Sequence, residues 1–168
     1  MSAPVDAKAF LVRTPFFGGL DDAGLDRVIA LLNERSFGRG AEVFREGDTG
    51  RSMFVVAEGE LVATQHAGGG RQVKLMRMKA GDFFGETTLI EMQPRFFTAV
   101  VDQDARLYEL TAADLYKLYR ADVKSYVMVL QNVNRELCRR LRTAGARITE
   151  LADDDDVTQI GLDKVRGG

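Results

Sequence analysis

The stretch Gly81–Val101, GDFFGETTLIEMQPRFFTAVV, decides how the chain is read. Phe83 and Phe84 make an aromatic strand end, Gly85 follows, and Glu86 opens a helix-like turn through Thr87, Thr88, Leu89 and Ile90. Such a turn points the amides of Glu86, Thr87 and Thr88 outward at a helix N-terminus, where N–H groups and the helix dipole attract anions. Gly85 lets the backbone approach a ligand with no Cβ in the way. Arg95, returning after Pro94, can bring a planar cation to the same anion. These residues read as a phosphate cradle.

Glu86 would be repelled by a phosphate unless it faced away from it. Near a sugar phosphate the natural role of a carboxylate is to accept a hydroxyl hydrogen bond. Phosphate and sugar hydroxyl together point to a nucleotide. The competing reading of Glu86 and Arg95 is a structural salt bridge.

Outward from this stretch, residues 38–110 carry short runs, AEVF, SMFVV, ELVATQ, VKLMRM, FFTAVV and RLYEL, separated by REGDTG, EG, AGGG and KAGD. Many short strands at short spacing predict an antiparallel sandwich or barrel. Before them, residues 1–37 read as an N-terminal helical lead, with a Thr14-Pro15 start and Leu25, Val28, Ile29, Leu31 and Leu32 at helical spacing up to Phe37. After them, Thr111 and Asp114 form a Thr-x-x-Asp capping box that opens the helices of 111–151.

Val123, Val127, Leu130, Asn134, Leu137, Leu141, Ala144, Ile148 and Leu151 alternate by four and three, the a/d seam of a coiled coil. Asn134 falls at an a position, where a buried Asn fixes register, and Gly145 is the weak link. The stripe predicts either self-packing on the β-domain or a homodimer through 123–151. Residues 152–168 read as an acidic, disordered tail. The fold class expected is α+β: an N-terminal helical lead, an antiparallel β-roll of the eight-stranded, jelly-roll-like type, and a long C-terminal helix.

Composition excludes several functions. The 168 residues are 45% hydrophobic and 29% charged, the size of one domain with something short attached. Lys and Arg number 23 against 25 Asp and Glu, so no global basic field gathers nucleic acid or membrane. No apolar run suits a bilayer, and MSAPVDAKAF lacks the regions of a signal peptide, so the expected location is cytoplasmic. Cys138, the single cysteine, excludes an internal disulfide, and with His66 the single histidine no zinc or other metal site is expected.

His66 reads as a solvated loop residue and AGGGR as a flexible turn, since it lacks the setting of a P-loop. Arg139, Arg140, Arg142 and Arg147 read as a solvated helix flank. Paired carboxylates, a metal cluster and a nucleophile beside a base are all missing from the motifs, so no enzyme and no catalytic residue is expected.

From roughly Phe16 to Leu151 the chain resembles the cyclic nucleotide-binding domains, the family of the catabolite activator protein, the protein kinase A regulatory subunits and the cyclic nucleotide-gated channels. FREGDTGRSMFVVAEGEL looks like its turn-strand-Gly signature, and FGETTLIEMQPR like its phosphate-binding cassette with the Glu-to-Arg spacing intact. The resemblance implies a cyclic mononucleotide as regulatory ligand, cyclic AMP in first place, and no cofactor. It implies that Glu86 holds the ribose 2′-hydroxyl, that Arg95 pairs with the cyclic phosphate beside Gly85 and the amides of Thr87 and Thr88, and that the long helix closes over the base near Arg139, Arg140 and Thr143.

The departure follows the arginine. Where the family has a small pair, this chain has Phe96 and Phe97. One ring is expected to enter the core beside the cassette, the other, Phe96, to lie near the phosphate or base. Either the rings alter or fill the pocket, making the fold a ligand-independent interaction scaffold, or the core is repacked around them. With no helical pair for a major groove after the long helix, the expected output is a partner protein, not DNA or a membrane.

Overall fold

The computed structural model describes residues 5–154 of the chain. A helix α1 (Val5–Leu11), a 3-10 turn (Pro15–Phe17) and a helix α2 (Asp22–Leu31) lead into six strands: β1 (Asn33–Phe37), β2 (Glu42–Phe44), β3 (Ser52–Ala67), β4 (Arg71–Lys79), β5 (Phe83–Phe84) and β6 (Thr98–Thr111). One turn of helix, α3 (Thr87–Ile90), lies between β5 and β6, and α4 (Ala112–Ala121) and α5 (Val123–Asp154) follow. The class is α+β, an antiparallel β-roll with a helical lead and a long C-terminal helix.

All pairings are antiparallel, in the order β1-β6-β3-β4, with β2 on β6 and β5 on β3. The runs SMFVV and ELVATQ join in the 16 residues of β3, and FFTAVV and RLYEL in the 14 of β6. Each long strand thus replaces two shorter ones, which is why six strands stand where an eight-stranded type was expected. The register between them shifts around Glu58 and Glu60. Gly59 makes this bend possible: it has φ +85°, and a Cβ there would meet Ala105 Cα at 2.7 Å.

Alternation along the strands builds two buried faces. Phe44, Phe54, Val56, Leu61, Phe84, Phe97, Val101 and Leu107 fill the roll interior. On the other face Phe83 meets Phe16 of the lead at 5.4 Å. Adjacent Phe83 and Phe84 therefore point to opposite sides, one to the helices and one to the roll.

The helical reading of the lead overran its end. Residues 33–37 form β1, not helix, because the apolar spacing stops at Leu32 and NERSF finds its partners across β6. Glu34 and Arg35 have as their counterparts Arg106 and Glu109, contacts invisible to local periodicity. The Thr14-Pro15 start is a 3-10 turn; α2 itself begins after Asp21, whose carboxylate accepts from the Gly24 amide at 2.8 Å.

At the C-terminal side Thr111 caps α4 with Asp114 in a complete capping box. Asp122 then interrupts the helix and restarts it, accepting from the Ser125 amide at 3.1 Å and hydroxyl at 2.7 Å. Up to Val133 the chain forms one compact unit; residues from Asn134 form a second. Within the first, α5 buries Ser125, Val129, Asn132 and Val133, and Asn132 Nδ2 donates to the carbonyls of Phe16 and Gly18. Val123 and Val127 of the seam are exposed instead.

In the second unit, Leu141, Ile148 and Leu151 are exposed. Of the tail expected over 152–168, residues 152–154 continue the helix and the rest lies outside the described residues. Among the described residues no helix is long and apolar enough to cross a membrane.

Candidate functional site

β5 pairs with β3 through Phe84 and Phe54, and Gly85 turns the chain out of it with φ +80°. The backbone thus favours glycine here, and a Cβ at Gly85 would come within 2.6 Å of Arg95 Nη1, so the guanidinium would have to shift to make room for it. Glu86 caps α3, whose turn is closed by Leu89 N–H to the Glu86 carbonyl at 3.0 Å and Glu91 N–H to the Thr87 carbonyl at 2.8 Å. The amides of Glu86, Thr87 and Thr88 precede those bonds, at the open end of the turn. Met92, at φ +55°, ends the turn in the left-handed region and sends Gln93 and Pro94 back toward the sheet.

Arg95 is fixed from both sides. Its N–H donates to the Asp48 carbonyl at 2.8 Å and its carbonyl accepts from the Gly47 amide at 2.9 Å. The turn in FREGDTG and the end of the cassette are thus bonded to each other, although 47 residues apart in sequence. The side chain goes inward and the residue is 5% exposed. Nη1 donates to the Gly85 carbonyl at 3.0 Å and the Thr88 hydroxyl at 3.2 Å; Nη2 donates to the Ser52 hydroxyl at 3.3 Å. Cζ lies 4.1 Å from the Phe44 ring centroid.

Burial pushes the Arg95 guanidinium below its ordinary pKa, while Glu109, Asp48 and Glu86 act the other way. A guanidinium remains a cation through such a shift. Glu86 is itself buried, so the cradle brings an acidic and a basic group together out of water. Thr88 is buried too, and its hydroxyl donates to the Gly85 carbonyl at 3.0 Å. Thr87 is half-buried.

The two rings after Arg95 part company. Phe97 enters the core, 5.4 Å from Phe44. Phe96 is 58% exposed, edge-on to Phe97 at 6.4 Å, with its carbonyl accepting from Gln65 Nε2 at 3.3 Å. Sequence reading missed Phe44, Asp48, Gly50 and Ser52 as neighbours of Arg95. They come from β2, the following turn and β3, and no local spacing connects them with residue 95.

His66, exposed, stands beside Glu46, whose Oε2 accepts from the His66 amide at 2.9 Å. Among the described residues no cluster of three or more His, Cys, Asp or Glu side chains could hold a metal.

The family model described as the cyclic nucleotide-binding domain matches residues 34–122. The chain is 28% identical over 142 residues to the cyclic AMP receptor protein of Thermus thermophilus, covering 84% of this chain and 64% of that protein. It is 32% identical over 108 residues to a cAMP-dependent protein kinase regulatory subunit of Mycosarcoma maydis, covering 62% and 20%. The crystal structure of the Thermus thermophilus catabolite activator protein superposes with a TM-score of 0.74 at 29% identity, covering 83% of this chain and 63% of that one. The chain therefore spans less than two thirds of the length of these relatives.

Proposed function

This chain belongs to the cyclic nucleotide-binding domain family, and from that premise we propose that it is a regulatory module whose Gly85–Arg95 cradle binds a cyclic mononucleotide, cyclic AMP in first place. The observation that supports the reading is Arg95 lying against the Gly85 carbonyl and Thr88 hydroxyl, at the open end of α3. A cyclic phosphate there would meet the amides of Glu86, Thr87 and Thr88, and the guanidinium once it is turned from those protein oxygens toward the ligand. Glu86 would accept from the ribose 2′-hydroxyl. Phe96, exposed beside them, would meet the ligand's edge.

Binding becomes a signal when bound and free states differ in their affinity for a partner. The reader proposed is α5, as a homodimer through 123–151. Its self-packing face uses Val129 and Val133, while Val123 and Val127 are exposed, so the seam is open to a second copy. A partner protein beyond that copy would receive the change.

A second reading is favoured by one observation: three protein oxygens already accept from Arg95. In that reading the fold is a ligand-independent scaffold whose arginine is satisfied internally. Calorimetric titration of nucleotide-stripped protein with cyclic AMP and cyclic GMP, beside Arg95→Ala, separates the two. Micromolar binding that disappears in the variant supports the sensor; silence from folded protein with both ligands supports the scaffold.

A further inference from the structure

Arg95 lies in a slot whose walls come from elsewhere in the chain. The Phe44 ring forms one wall, 4.1 Å from Cζ to the ring centroid. Gly50 forms another: a Cβ built there would come within 2.5 Å of Cζ and closer still to Nε. At the far end the Gly85 carbonyl and Thr88 hydroxyl take Nη1, and the Ser52 hydroxyl takes Nη2. Nε is buried and has no acceptor among the described residues.

A phosphate is held best by two parallel N–H donors along one edge of the guanidinium fork. In the slot no such edge is open. Nη1 is committed to two protein oxygens, and the Nε side lies against Gly50. An unsatisfied buried donor is costly, so the slot is a strained resting place that a ligand can relieve.

We propose that Gly50 is a positioning residue that lets Arg95 park inward, so that an anionic ligand binds by drawing the guanidinium out of the slot. The proposal rests on the nucleotide reading for the identity of that ligand. Gly50 is not in the left-handed region, so alanine meets no backbone penalty there and its methyl acts by filling the slot. Apparent affinity then follows the fraction of molecules with Arg95 outside, since a ligand needing that state binds with its intrinsic Kd divided by that fraction.

The test compares the full chain with Gly50→Ala and Ser52→Ala. In ligand-free wild type, the Arg95 Nε–H resonance, identified by its loss in Arg95→Lys, is expected to exchange slowly and to be shifted by the Phe44 ring. Gly50→Ala is expected to lose that protection while still unfolding cooperatively, and to bind cyclic AMP about tenfold more tightly. Ser52→Ala, which removes one acceptor and leaves the walls, is expected to tighten binding about threefold, and decides the matter if Gly50→Ala does not fold.

An unprotected Nε–H in wild type overturns the parking, as does equal or weaker cyclic AMP binding by the folded variants. Binding by none of the proteins, with the protected resonance present, defeats the nucleotide reading and the competition with it while leaving Arg95 in its slot. The two failures are therefore distinguishable.

Discussion

The Phe97 ring packs 5.4 Å from the Phe44 ring, and Phe44 carries the Arg95 guanidinium on its own face. The residue two positions after the arginine thus returns to it through an aromatic from another strand. This makes Phe97 part of the interior, and it separates the fates of the two neighbouring rings.

Phe97→Ala is expected to cost about 3–5 kcal/mol of folding stability, as for other buried aromatic truncations. Phe96→Ala, on an exposed side chain, should stay within about 0.5 kcal/mol. Urea unfolding of both variants checks this. The double change of Phe96 to Ser and Phe97 to Ala should then weaken the fold and not open a better pocket; tighter nucleotide binding with unchanged stability would contradict it.

Arg95→Ala is expected to weaken cyclic AMP binding by at least the roughly 1.5–3 kcal/mol of a hydrogen bond to a charged group, on the order of tenfold or more. Calorimetry reads it. Affinity equal to wild type would show that the ligand, if bound, avoids the cradle.

Asn134→Leu should strengthen self-association while loosening its register, because a buried Asn at an a position costs stability and specifies pairing. Sedimentation equilibrium should show a dimer in both proteins, tighter in the variant. Monomers before and after would mean that the seam serves no second copy.

Acid dependence should appear at the cap of α4. Burial raises the Asp114 pKa, but hydrogen bonds from Lys117 and Thr111 outweigh it and hold the carboxyl below its ordinary value. A depressed folded-state pKa contributes stability that is present above the unfolded value, about 3.9, and is lost as pH falls through the folded one. Asp114→Ala should therefore cost about 1 kcal/mol near neutral pH, with the difference from wild type shrinking below about pH 4. A difference independent of pH would assign the loss to packing.

The legible part of the fold was the part written in local spacing. Gly85, Glu86, Thr87, Thr88 and Arg95 sit within one short segment, and the turn chemistry of that segment specifies where each belongs. The cap of Thr111 and Asp114 was legible for the same reason. Asn33–Phe37 was misread because its strand character depends on Arg106 and Glu109 across β6, not on its own apolar content. Ser52, Gly50 and Phe44 were hidden because only sheet pairing carries them to Arg95. Periodicity could propose the seam but not say which face of α5 the chain would use for itself; burial of Val129 and Val133 beside exposed Val127 supplies that.

β6 begins three residues after Arg95 and ends in the residue that caps α4, with β1 and β2 bonded along one edge and β3 along the other. A strand held on both edges cannot slide, so the downstream end of the cradle is an anchor. Whatever backbone movement a ligand would produce must then start upstream, in the segment from Gly85 to Pro94, and travel to the helices around the sheet instead of along it. Amide exchange should draw this boundary as a step at Arg95: fast on one side, slow on the other.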